Sequence, residues 1–142
     1  MDLSAKINNT IQWLRDQVQI SKTKGLVVGV SGGIDSALCS FLIKAAFPDN
    51  SLGLILPCES DPQDKIDALK VVNACGLKHF LIDLSEIHGS LFAKVERTFV
   101  NANEEELNLP LARANLKARL RMSTLYTFAN SLNYLVVGTD NA

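Results

Sequence analysis

The sequence predicts an α/β fold: a doubly wound parallel sheet with helices on both faces. Two observations predict it. Short apolar, β-branched runs alternate with segments of helical periodicity along the 142 residues, the pattern of buried strands joined by helical crossovers. The first of those runs also leads through two glycines directly into a helical segment, as crossover turns of such sheets do.

Taken in order, residues 2–20 place Ile7, Ile11, Leu14 and Val18 at helical intervals as one apolar stripe, with Trp13 expected to pack beside it. Lys22-Thr23-Lys24-Gly25 breaks the pattern, and residues 26–30 read as a buried strand. After Ser31-Gly32-Gly33, residues 35–47 read as a helix with Leu38, Phe41, Leu42 and Ala45 inward. Residues 52–56 form a second strand. Asp61-Pro62 marks the next helix start, with Pro62 suited to its first position, and Ile66, Leu69, Val71 and Val72 carry it to a stop at Gly76. Residues 79–83 are the third strand, and Ser85 is placed to cap the helix that follows. Residues 101–110 read as a solvated loop, acidic through Glu104-Glu105-Glu106. Residues 111–131 form a long helix, and residues 134–138 the fourth strand. Ligands of such sheets collect at strand carboxyl ends. If the first and fourth strands are neighbours, Ser31 to Ser36 and Thr139-Asp140-Asn141 share one crevice.

Composition bounds the function. With 47% hydrophobic and 20% charged residues and a net charge of -1, the chain has the make-up of one ordinary globular domain. It lacks a global basic footprint, so no nucleic-acid partner is expected. No apolar run approaches the roughly 20 residues of a membrane span, and the first residues lack a secretory profile. No membrane association is expected, and the expected compartment is the cytoplasm. Cys39, Cys58 and Cys75 are too widely spaced for a CxxC site. Cys39 and Cys75 read as core, and Cys58 as packing or pocket lining. His79 and His88 lack a second ligand at metal-binding spacing.

The turn Gly29-Val30-Ser31-Gly32-Gly33-Ile34-Asp35-Ser36 carries the chemistry. Successive glycines permit positive φ and close approach of backbone amides to an anion. The amides that open the next helix lack intrahelical partners, and the helix dipole favours negative charge there. Ser31 and Ser36 have hydroxyls to donate to phosphate oxygens. Asp35 would repel phosphate by itself, and Mg²⁺ gives it a reason, since that ion takes carboxylate and phosphate oxygens together. A Walker loop needs GxxxxGK[ST] and a dinucleotide fingerprint needs GxGxxG; neither is present.

The complete SGGIDS loop resembles that of the N-type ATP pyrophosphatases, whose fold is adenine nucleotide alpha hydrolase-like. Asn115-Leu116-Lys117-Ala118-Arg119-Leu120-Arg121-Met122 and Val136-Val137-Gly138-Thr139-Asp140-Asn141-Ala142 narrow the resemblance to the NAD synthetases. That resemblance implies ATP contacts along residues Gly29 to Ser36 and at Thr139, Mg²⁺ on Asp35, and deamido-NAD on Arg119, with Arg121 second. It implies adenylation of deamido-NAD by ATP and then amidation by ammonia, with no side-chain nucleophile, in a homodimer to which the helix 111–131 contributes. Glutamine-dependent members carry an amidase domain ahead of the loop, and 28 residues precede Gly29 here, so free ammonia is the expected nitrogen source. Members continue past the fourth strand with a second acidic metal ligand and lysine-bearing loops. The expectation is therefore a single domain over residues 1–142, incomplete at its carboxyl side and inactive by itself. The alternatives are a tRNA-thiolating member with Cys58 as sulfur carrier, or a non-catalytic nucleotide-binding domain.

Overall fold

The computed structural model describes residues 2–102 and 107–138. The elements run α1 (Leu3–Ser21), β1 (Gly25–Gly29), α2 (Ile34–Ala46), β2 (Ser51–Ile55), α3 (Pro62–Cys75), β3 (His79–Leu81), α4 (Ser85–Asn101), α5 (Leu109–Leu132) and β4 (Tyr134–Val136). The strands form one parallel sheet in the order β3-β2-β1-β4. β1 is thus central, with Leu26 opposite Ser51 on one side and Leu135 on the other.

Side chains alternate across this sheet, and each face has its own core. Leu26, Val28 and Val30 point with Ile55 toward Leu14 and Val18 of α1, Ile43 and Ala46 of α2, and Ala68 and Val72 of α3. Val27, Leu52, Leu54 and Leu56 point the other way, toward Leu125 and Ala129 of α5 and Leu84 before α4. Val27, Val28 and Leu54 are fully buried, each worth about 1.5–3 kcal/mol of burial. Helices therefore cover both faces, as the alternation of strand and helix requires.

Helix α2 turns a different face inward than its apolar residues suggest, and α3 departs at Ile66 while Leu69, Val71 and Val72 pack on the core. In α2 the buried positions are Ser36, Ser40, Ile43 and Ala46, while Leu38 and Phe41 are 54% and 48% exposed and Ala45 is also exposed. Only Leu42 of the expected inward set packs on the core. The cause is local bonding. Ser36 is held inward by the preceding turn, and the Ser40 hydroxyl donates to the Ser36 carbonyl at 2.7 Å, which makes a buried serine tolerable. In α3 the buried stripe is Ala68 and Val72, and Ile66 is 46% exposed. A small residue is wanted at 68, because the backbone of Gly32 approaches there. Trp13 does not pack: it is 57% exposed, one position round the helix from buried Leu14.

Helix ends follow from the sequence in most cases. The Asp61 side chain accepts from the Gln63 amide at 2.9 Å to cap α3, with Pro62 in the first turn and Gly76 closing it at φ 68°. Ser85 is not the cap of α4. The capping position is Leu84, Asp83 accepts from the Ser85 amide at 2.8 Å, and the Ser85 hydroxyl accepts from the Glu59 amide at 2.7 Å.

Candidate nucleotide site

The turn between β1 and α2 is built around two hydroxyls. Gly32 has φ 87° and Gly33 caps α2 at φ -75°, so only the first glycine uses the left-handed region. A side chain at 32 would also place its Cβ 2.8 Å from the Asp67 Cβ and 3.2 Å from the Asp64 carbonyl; glycine is required on both counts. The Ser36 hydroxyl donates to the Gly33 carbonyl (3.2 Å) and accepts from the Ser31 amide (3.1 Å) and the Ser31 hydroxyl (3.3 Å). Ser36 is 3% exposed, so its hydroxyl organises the turn and is not available as a donor to an outside anion. The turn, by contrast, leaves Ser31 and Gly33 exposed, and Ile34 and Asp35 open α2 at the surface. An exposed helix start, with the Asp35 carboxylate in its first turn, is what the chain offers there, while the Ser31 and Gly33 amides donate within the turn.

This turn opens on a crevice of about 360 Å³ at the carboxyl ends of β1 and β2. Gly29, Val30 and Ser31 form one side, and Leu56, Pro57 and Ser60 after β2 another. Asp64 and Lys65 of α3 and Ala118, Arg121 and Met122 of α5 close it. Arg121 is structural as well as lining: its Nε donates to the Leu56 carbonyl at 3.0 Å and its Nη2 to the Ser60 hydroxyl at 2.9 Å.

A second cluster lies behind the same wall. Glu59, at φ 53°, takes a bidentate ion pair from Arg113, with Nη2 at 2.8 and 2.9 Å. Lys117 Nζ stands 3.8 Å away and His88 Nδ1 3.5 Å away. The His88 ring is fully buried, and its Nε2 donates to the Arg113 carbonyl at 3.0 Å. His88 also stacks on Phe92, over which the Arg113 guanidinium lies. The Arg113 hydrogen bonds first, and then its charge, hold the Glu59 carboxyl below the usual glutamate range.

The family model of NAD synthase matches residues 6–142. The chain belongs to the NAD synthase family. It is 50% identical to the NH(3)-dependent NAD(+) synthetase of Alkaliphilus metalliredigens, with 100% of this chain and 58% of that protein covered. With the protein of the same description from Carboxydothermus hydrogenoformans it shares 43%, over 96% and 54%. Among solved structures, the NH3-dependent NAD synthetase of Campylobacter jejuni superposes with a TM-score of 0.84 at 30% identity, covering 99% of this chain and 58% of that one. The NMN synthetase of Francisella tularensis superposes with a TM-score of 0.85, also at 30%, covering 100% and 56%. The chain spans somewhat over half the length of these relatives.

Within that family frame, the residues read from the sequence divide. Gly29, Val30 and Ser31 line the crevice, whereas Gly32 to Ser36 lead on from it into α2 and are not part of its lining. Arg119 does not line it; it is exposed on α5 with no partner among the described residues, while Arg121, ranked second, does. Thr139, and the acidic loop residues 104–106, lie outside the described residues. Cys58 is fully buried, and burial pushes its thiol up, which opposes a sulfur-carrier role. Among the described residues no group of three or more His, Cys, Asp and Glu side chains is arranged to hold a metal. His88, which the sequence shows only as a solitary histidine, proves to be a buried partner of Glu59. Asp64, Lys65 and Glu59 went unread for lack of a motif, although Arg113, Lys117 and Arg121 are spaced by four and so occupy one helix face.

Proposed function

We propose that the chain is the ATP-handling part of an enzyme that amidates deamido-NAD to NAD with ammonia, releasing AMP and pyrophosphate. The observation that carries this is the SGGIDS turn, which runs from a crevice at the carboxyl ends of adjacent parallel strands into the exposed start of α2. Membership in the NAD synthase family supports the acceptor, and its similarity to NH3-dependent synthetases supports ammonia as the nitrogen source.

The reaction takes two displacements. A carboxylate oxygen of deamido-NAD attacks the α-phosphorus of ATP; the bond to the β-bridging oxygen breaks, and pyrophosphate leaves with the electron pair. Ammonia then attacks the acyl carbon, the carbon–oxygen bond to AMP breaks, and the amide nitrogen gives up a proton to solvent. The chain's contribution is positioning and charge complementarity. The amides of residues 32 to 36 face the leaving pyrophosphate at the α2 start, with the Ser31 hydroxyl as a further donor. Val30, Leu56 and Met122 give the crevice apolar walls against which the nucleotide can pack. Arg119, unpaired and exposed, is available to an anionic group of deamido-NAD, and Thr139 is the further ATP contact that the resemblance implies.

Asp35 fits a magnesium site, since Mg²⁺ asks for one or two carboxylates and completes its shell with phosphate oxygens and water. When bound, the ion neutralises negative charge on the phosphates. The functional unit is read as a cytoplasmic homodimer with α5 at the interface.

The test is pyrophosphate release from ATP in the intact protein. Deamido-NAD should trigger it and tRNA should not; release with tRNA alone would overturn the reading in favour of a thiolating relative. Asp35→Ala should reduce release at least 100-fold, on the order of one removed charge-stabilising contact, while the melting temperature stays unchanged because Asp35 is exposed.

A further inference from the structure

The turn 57–60 gives two residues to the crevice, Pro57 and Ser60, buries Cys58 in the core, and turns one side chain away. The one turned away is Glu59, and two helices converge on its carboxylate: α5 through Arg113 and Lys117, and α4 through His88. Its backbone is committed as well, because its amide donates to Ser85. A glutamate kept for solubility needs none of this. A non-glycine residue at φ 53° persists only where surroundings over-determine it.

We propose that Glu59 is a positioning residue for the nucleotide: by tying the turn 57–60 to α5 it sets the gap between Pro57 and Ser60 on one wall and Ala118 and Met122 on the other. Arg121, one turn along the same face as Lys117, grips the same turn through Leu56 and Ser60. The wall is therefore held at both ends by one rank of cations. Removing the Glu59 end lets it swing about the Arg121 end, and the crevice loses its fit to ATP. Arg119 belongs to the other side of α5, so the acceptor site is untouched. The inference rests on the reading of this crevice as the ATP site.

The experiment is titration calorimetry on the intact protein, with Mg-ATP and with deamido-NAD separately, for Glu59→Gln, Arg113→Met and the double variant. Each single change should weaken ATP about 5- to 10-fold, and the double no more than the worse single, because both break one coupled contact. Deamido-NAD affinity should stay within about 2-fold. Glu59→Gly suits the left-handed backbone; it should keep the melting temperature and still weaken ATP, which separates wall positioning from general stability. Unchanged ATP affinity in Glu59→Gln and Glu59→Gly, an additive loss in the double, or a loss confined to deamido-NAD each overturns the proposal. If the wild type itself binds no ATP, the reading of the crevice falls, and this inference with it.

Discussion

At the scale of single residues, backbone conformation and a few hydroxyl hydrogens decide most of the site. Gly32 combines a φ of 87° with a neighbour 2.8 Å from any added Cβ. Gly32→Ala should therefore cost about 2 kcal/mol or more in denaturant unfolding and abolish nucleotide binding, whereas Gly33→Ala, with only the Ser31 hydroxyl at 3.5 Å and an ordinary φ, should be nearly neutral for stability. The glycines were legible as a pair; which one bears the strain was not, because sequence does not display φ. The charge of Glu59 has a pH consequence. Arg113 lowers its pKa in the folded chain, and the Ser85 hydrogen bonds do the same for Asp83. Both groups thus contribute stability that is present above the ordinary carboxylate range and is lost as pH falls through their depressed folded values. Urea midpoints measured from pH 7 down to pH 3 should decline in acid, and Glu59→Gln should decline less. An equal decline in the two proteins would contradict the assignment of Glu59.

Among the elements, strands were the most legible and helix faces the least. Each strand announced itself as a short apolar run, β-branched in the first and fourth, and every one is found within two residues of its expected bounds. The inward face of α2 was misread because apolar residues were taken to point inward, while hydrogen bonds at Ser36 turn Ser40 into the core; in α3 only Ile66 departs, since Leu69, Val71 and Val72 pack on the core. The central strands carry the packing. Leu54→Ala, at a fully buried position in β2, should destabilise by about 2–5 kcal/mol in equilibrium unfolding, and Leu38→Ala, on the exposed side of α2, by well under 1 kcal/mol. Comparable losses for the two would mean that Leu38 is covered in solution. In α5, the spacing by four of Arg113, Lys117 and Arg121 was present in the sequence. Its meaning was hidden because the carboxylate it meets is 54 residues away from Arg113.

For the molecule as a whole, the order β3-β2-β1-β4 puts the glycine turn and the carboxyl end of β4 at one end of the sheet. That neighbouring of β1 and β4 was the topological condition for a shared crevice, and it is met. The opposite end is marked by Arg15, which donates to the Ala45 and Ala46 carbonyls at the close of α2, where a cation complements the helix dipole. Sedimentation of the intact protein at micromolar concentration should give a dimer, and a monomer would count against the interface read for α5. The position of Trp13 has a practical consequence. It is the chain's only tryptophan, solvent-facing, and half a turn from Arg15, so the 13 residues of α2, roughly 20 Å of helix, separate it from the phosphate turn. Its emission should be that of a hydrated indole and should stay constant while nucleotide fills the crevice. A quench on adding ATP would then report movement of α1 or assembly of the subunits, giving this chain a built-in optical signal for long-range change that is blind to occupancy.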